Sequence, residues 1–455
     1  MSSSKTSVVI VGSGIAGMST ALWMLESGKY SVTILEKNAV TPAPDAASAD
    51  INKIIRASDY EDRAYAKFAL DAIDFWRKPE WEGCYHEAGL VALSRPEEKE
   101  GMQFVDAAYK NSHDFGVDVQ LVKDQASIKT AVDKDNCIPT GDFGNRQGYY
   151  NPIGGWAEAS RAVEVGLKRV QKLGGVVRAN ADVVGLVTEG KEVKGVELKS
   201  GEKVLADLTV TAAGAWTPKL FALPGVKGKL PDIQATGQSV AIFQLTPAEA
   251  KQYSKTPVVF NLDDGWYCFP PNPDGLMKMA IHSAGYINPV QEVGGVSVPR
   301  TKLTPGAESG AIPKVMMDQL RSGLSEVYPE LMKKDYAMTR LCWYCDSVTG
   351  DWLIDYHPDF SNLFVISGDS GHAFKFAPNL GREVLKIIEH DDSSEWRTRW
   401  SFYPPKEMVE PKEEKGDVSK EATEVSGTGA DVRAGMRKPI EEKDLVTPAD
   451  LKARL

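Results

Sequence analysis

The chain has 455 residues, 42% apolar and 25% charged, an ordinary balance for a soluble protein long enough for two or more domains. A net charge of −10 without a long basic run argues against nucleic-acid binding, and no apolar stretch reaches the roughly 18–20 residues of a membrane span. Five scattered cysteines do not make a disulfide framework, and the N-terminus lacks the residue order of a signal peptide, so an intracellular protein with reduced thiols is expected.

The first segment is the clearest. Ser7 to Val11 is a continuous apolar run, as expected of a strand buried on both faces. G-S-G-I-A-G follows at 12–17, then a helical pattern through Met18, Ala21, Leu22 and Leu25, then a strand S-V-T-I-L-E ending at Glu36. Together these form one βαβ unit. Residues 59–76 and 154–174 carry helical patterns, and 183–210 reads as a β-meander with turns at E-G-K-E and K-S-G-E-K. Residues 236–285 alternate in a way that suggests a mainly β domain. Residues 362–390 return to strand, glycine turn and helix, whereas 99–140 carry no functional signal. From about 404 the chain is rich in Glu, Lys and Pro, so a loosely packed tail is expected.

Gly12, Gly14 and Gly17 between a strand and a helix fit a dinucleotide site. The glycines allow a tight turn, close approach to a pyrophosphate and close helix–strand packing, and the helix N-terminus favours phosphate. Glu36, at the end of the next strand, is placed to accept from a ribose hydroxyl. Lys37 follows it without an arginine pair, so a 2′-phosphate is not called for. The motif alone leaves NAD and FAD open. The strand T-V-T-A-A-G-A-W at 209–216 resembles a second flavoprotein signature and favours FAD.

C-W-Y-C-D-S-V-T-G-D-W-L-I-D-Y-H-P at 342–358 and S-G-D-S-G-H-A-F-K-F at 367–376 resemble the C-terminal signature of the monomeric sarcosine oxidase family. That family includes fructosyl amino acid oxidases (amadoriases), pipecolate oxidases and saccharopine oxidases. S-A-D-I-N-K-I-I-R at 48–56 and P-V-V-F-N-L-D-D-G-W-Y at 257–267 are similar to segments of its fungal members. The resemblance runs from residue 7 to about 400. It implies an α/β fold, with a Rossmann-type FAD-binding domain discontinuous in sequence (1–82, 150–225 and 340–403). A β-rich α+β substrate domain (83–149 and 226–339) and a polar tail (404–455) complete it.

The implied enzyme moves a hydride equivalent from a C–N carbon to FAD, releases an imine and passes electrons to O2 as H2O2. The family tethers its flavin through a cysteine thirteen residues before the Asp of I-D-x-H-P, which selects Cys342 by counting back from Asp355. Cys345 is then a small bystander. Read on spacing alone, the pair also allows a zinc half-site or a redox disulfide, although neither finds the partners it needs. The resemblance further implies cofactor contacts from Ser13, Ile15, Ser48, Val183, Gly371 and His372.

Lys278 matches the family's oxygen-activating lysine, and a fixed cation stabilises the anion formed when O2 takes an electron. Lys53 matches a lysine that packs against the flavin ring. Arg56 and Lys375 match the two cations that hold the substrate carboxylate. At His282 amadoriases carry a sugar-contacting glutamate and sarcosine oxidase a histidine, which favours a simpler N-alkyl or cyclic secondary amino acid. A neutral histidine there can also polarise or accept from the substrate amine.

Ala453-Arg454-Leu455 resembles a peroxisomal address read by an import receptor. A monomer acting on a small-molecule amino acid and O2 is expected, with no metal, no nucleic acid and no membrane. The rival readings are a fructosyl amino acid oxidase, an NAD-linked dehydrogenase and a non-catalytic flavin-binding protein.

Overall fold

The computed structural model describes residues 5–226, 228, 230–405 and 437–453. The apolar run Thr6–Val11 forms the centre of a parallel sheet. It pairs with Tyr30–Leu35 on one side and Leu208–Thr211 on the other, Val8 standing opposite both Val32 and Leu208. Among the described residues the sheet has six strands, extended by Val176–Arg178 at one edge and by Leu363–Ser367 and Leu353–Tyr356 at the other. Only the last pair is antiparallel. Strands buried on both faces need cover on each side: helices Ile15–Glu26, Ala159–Lys172 and Leu380–Ile388 pack with Val8, Ile10 and Ile34 on one face, and Val9, Val11 and Leu35 on the other pack against residues 183–198. This is the Rossmann-type domain, assembled from sequence-distant pieces.

The meander forms over Val183–Glu189, Glu192–Leu198 and Lys203–Leu205, after which Leu208–Thr211 crosses into the main sheet. Helix Arg63–Trp76 starts later than its apolar pattern, at Asp62, whose carboxylate accepts from the Ala64 and Tyr65 amides. Residues 99–140, silent in sequence, hold helices Lys99–Asp114 and Gln125–Val132 with the strand Gln120–Val122 between them.

The second domain is a larger mixed sheet. Its long strand Ile233–Gln244 pairs antiparallel with both Leu276–Ile281 and Met338–Ser347. The latter carries Cys342 at the register position opposite Gln238. Helix Lys314–Val327 covers one face. The turn at 263–265 is clamped by Arg146, whose buried guanidinium donates to Asp263 and Asp264 at 2.7 and 2.6 Å and also to Glu326. Gly265 then accepts the His282 amide at 2.8 Å, so the clamp fixes the strand end that carries His282.

The end of the chain departs from the expected loose tail. Residues 406–436 lie outside the described residues, but 437–453 are packed on the second domain. Lys438–Pro439 adds a short parallel strand beside Tyr286–Ile287, and Leu445 and Val446 are buried. Arg321 donates to the carbonyls of Asp450 and Lys452 at 2.7 and 2.9 Å. Composition hid this because only a few apolar residues anchor a polar stretch.

Candidate active site

One cavity runs from the glycine loop of the parallel sheet to the inner face of the second domain. At the first end the strand tips close round Gly12: its amide donates to Leu35 O and the Ala212 amide to Val11 O, both at 2.8 Å. Gly12 has φ +110°, and a Cβ there would lie 2.4 Å from Ala212 O; one on Gly17 would lie 2.1 Å from Gly12 O. Helix Ile15–Glu26 begins at Gly14 without a side-chain cap or an acidic residue in its first turn, leaving its N-terminal amides for an anion.

Glu36 is buried beside this loop. It accepts from Ser13 Oγ at 2.7 Å and from the Asn38 amide at 3.0 Å, which fixes its carboxylate at the cavity edge. Lys37 lies 3.7 Å from the Trp216 ring centroid and 3.4 Å from Asp45, and burial lowers its pKa. Ser48 and Val183 also line this end. A turn shaped for phosphate, a fixed carboxylate for a ribose, and a long cavity bridging two domains fit FAD.

Farther along, the strand Lys53–Ile55 brings Lys53 and, just beyond it, Arg56 to the wall. The Lys53 ammonium donates to Asp50 Oδ2 at 2.8 Å and lies 3.3 Å from Cys342 Sγ. Burial opposes its charge, but the Asp50 carboxylate outweighs burial and raises its pKa. Cys342 is buried directly behind this lysine and does not itself line the cavity. Cys345 has a different setting: its Sγ is 3.2 Å from Ser367 Oγ, and burial pushes its thiol up to about 12. The two sulfurs therefore form no common site, and all five cysteines are free thiols.

Lys278 lies one layer behind the wall. It is fully buried, donates to Asp50 Oδ2 at 2.9 Å and Asn52 O at 2.6 Å, and sits 4.6 Å from the centroid of the cavity-lining Phe269. Burial lowers its pKa to about 8, with Asp50 pulling the other way.

At the far end, Gly371, His372 and Lys375 come from the turn after strand Leu363–Ser367. The buried Lys375 donates to Tyr60 Oη at 2.8 Å and His372 O at 2.5 Å. Burial, reinforced by the Arg56 charge, drives its pKa well down. His282, just past the strand Leu276–Ile281 of the second domain, also lines the cavity, its Nδ1 3.4 Å from Tyr344 Oη.

The structure thus gathers round one cavity the proposed site residues Gly12, Ser13, Gly14, Ile15, Glu36, Lys37, Ser48, Lys53, Arg56, Val183, His282, Gly371, His372 and Lys375. Gly17, Lys278 and Cys342 stand behind its walls. Sequence reasoning passed over Tyr60, which joins the two cations, and Asp50, which joins the two lysines. Asp50 stands inside the quoted S-A-D-I-N-K block, but its partner Lys278 is 228 positions away, a distance no motif spans.

The family model described as FAD dependent oxidoreductase matches residues 7–387. L-saccharopine oxidase of Schizosaccharomyces pombe is 30% identical over 415 residues, covering 87% of this chain and 92% of that one. Monomeric sarcosine oxidase of a Bacillus species is 25% identical over 402 residues, covering 85% and 95%. Among solved structures, fructosyl peptide oxidase from E. terrenum superposes with a TM-score of 0.79 at 25% identity, covering 97% of each chain. These findings bear out the resemblance read from the sequence, and the NAD-linked rival finds no support in them. The chain belongs to the FAD dependent oxidoreductase family and is an oxidoreductase of its amine- and amino-acid-oxidase branch.

Proposed function

We propose that this enzyme oxidises the C–N bond of a secondary-amine amino acid, N-alkyl or cyclic, to an imine while reducing O2 to H2O2. The carrying observation is the pair Arg56 and Lys375. Two cations, one of them buried, meet at Tyr60 on the cavity wall, Arg56 against its ring and Lys375 on its hydroxyl. Such a pair calls for an anion, and a substrate carboxylate suits a guanidinium fork beside an ammonium.

The glycine loop, Glu36 and the 367–375 turn would hold FAD, whose chemistry would be to take the hydride from the carbon of the C–N bond and return its two electrons to O2, which leaves as H2O2 with that hydrogen and the amine N–H proton. The chain's own residues do the rest. Arg56 and Lys375 orient the carboxylate, and His282, lining the same cavity, accepts from or polarises the amine. Lys53 presents a cation to the cavity, and Lys278 adds a second charge behind it. A cation within about 4 Å of developing negative charge is worth roughly 4 kcal/mol at an effective dielectric near 20. That corresponds to about a thousandfold in rate. Cys342, beside Lys53, is the residue that would carry a thioether to the flavin. Ala453-Arg454-Leu455 would direct the enzyme to peroxisomes, where peroxide is handled; its last two residues lie outside the described residues. We take the active form to be a monomer.

A fructosyl amino acid oxidase is the second reading, favoured by the full-length likeness to fructosyl peptide oxidase. His282 argues for the simpler substrates. Peroxide formation with sarcosine, L-pipecolate, saccharopine and fructosyl-valine separates the two. Turnover of the fructosyl compound alone overturns the first reading.

A further inference from the structure

We propose that Asp50 is a positioning residue for oxygen reduction: one buried carboxylate that holds the Lys53 and Lys278 ammoniums together and keeps both charged. The inference rests on the oxidase reading above.

The geometry is a chain of contacts. Asp50 Oδ2 accepts from Lys53 at 2.8 Å and from Lys278 at 2.9 Å, while Oδ1 accepts from the Ile51 amide at 2.8 Å. The Asp50 and Lys278 side chains are 1% and 0% exposed. Two ammoniums sharing one oxygen lie close enough to repel strongly away from water. The carboxylate between them offsets that repulsion and leaves the trio with one net positive charge. The Lys53 end faces the cavity, so Asp50 ties a cavity-facing cation to a buried one.

The other charged or titratable groups facing the trio are Arg340, Cys342 and Tyr267. None of them can replace Asp50, because Arg340 is a further cation and the other two are neutral when protonated. Both lysine charges hold the Asp50 carboxyl far below its ordinary range against the opposition of burial. The sign for Lys278 follows directly. Burial lowers it to about 8 even with Asp50 present, and the Lys53 charge pushes the same way. Without the carboxylate, burial and the Lys53 charge act on Lys278 with their main opponent gone, so its cation is lost at lower pH than in the native enzyme.

The test uses the flavin-loaded enzyme. Reoxidation by O2 is followed against pH for the native protein, Asp50→Asn, Asp50→Glu and Lys278→Met. As a readout apart from turnover, sulfite, an anion that adds to oxidised flavin, is titrated by the loss of visible absorbance. The native profile should fall as pH rises through about 8, and Lys278→Met should lack that step. Asp50→Asn should move the step down by about one pH unit or more, in the pH dependence of sulfite affinity as well as in that of reoxidation. Asp50→Glu keeps the charge and should keep the step.

A native step and sulfite affinity retained in Asp50→Asn overturn the proposal, as does a step that survives Lys278→Met. If Asp50→Asn does not fold, Asp50→Glu decides: a retained step supports the role of the charge, and a lost one overturns it. Failure of the native protein to reduce O2 with any amine would sink the oxidase reading itself, whereas normal turnover with an unmoved step sinks only the role of Asp50.

Discussion

Arg56 and Lys375 meet at one tyrosine: the Arg56 guanidinium carbon lies 4.2 Å from the Tyr60 ring centroid, and the Lys375 ammonium donates to the Tyr60 hydroxyl at 2.8 Å. The ring's π face favours the guanidinium and the hydroxyl oxygen the ammonium, which offsets part of the cost of holding two cations close together. Burial and the Arg56 charge still drive the Lys375 pKa well down, so in the ligand-free site Lys375 gives up its proton readily.

A bound carboxylate reverses that balance. Binding of an unreactive carboxylate such as 2-furoate should therefore take up a proton above the depressed pKa, and affinity should fall as pH rises, by up to about tenfold per unit. Calorimetry in two buffers of different ionisation enthalpy reads the uptake. Lys375→Met should abolish it and weaken binding by about 2–5 kcal/mol. Unchanged affinity in that variant would remove Lys375 from the carboxylate site.

The tether is tested by colour. Acid-denatured native protein should give a yellow pellet, and Cys342→Ala a colourless pellet under a yellow supernatant. Cys345→Ser should leave the pellet yellow, because that thiol contacts Ser367 and not the Lys53 side of the cavity. A yellow pellet from Cys342→Ala would refute the tether.

Gly17→Ala puts a methyl 2.1 Å from Gly12 O and 3.2 Å from Ile10 Cγ2, against backbone that cannot swing aside. The expected cost is about 1–3 kcal/mol. Its first symptom should be lost flavin, since the displaced turn is the one that meets the phosphates. Absorbance per chain and urea unfolding measure the two effects. A variant with full flavin content and native stability would mean that the turn tolerates a side chain.

How far the sequence was legible follows from where the information lies. The glycine loop, its two strands and Glu36 were readable because βαβ geometry is local and each glycine has a steric reason visible in the chain. The proposed carboxylate clamp was readable only through resemblance, because Arg56 and Lys375 are brought together by the fold. Asp50 and Tyr60 were missed for the same reason: each acts as a bridge between residues from different segments, and a bridging side chain leaves no periodic or spacing signal. Buried Lys278 was half legible. It lies between the buried Met277 and Met279, but nothing along the strand indicates that its ammonium turns toward Asp50 and not into the cavity. Helix Lys99–Asp114 was obscured by its polar outer face, with Phe104 and Val105 among the few residues anchoring it.

The packed end of the chain gives the last prediction. Leu445 and Val446 are buried in the second domain's core, and the Val446 amide donates to Ile312 O at 2.9 Å. Burying side chains of this size stabilises by about 1.5–3 kcal/mol each. The preceding Arg437 also donates to Gln234 Oε1 at 2.8 Å, on the long strand paired with the one that carries Cys342. Ending the chain at 436 should therefore lower the urea midpoint and loosen the second domain. Removing Arg454 and Leu455 alone should be read by a different assay, loss of peroxisomal import of a tagged protein. If the long truncation leaves the unfolding midpoint unchanged, the contacts of Leu445 and Val446 contribute nothing to stability. If the short one is still imported, the C-terminal tripeptide is not the address. The two cuts thus separate a structural strap from a targeting signal within the same short stretch of chain.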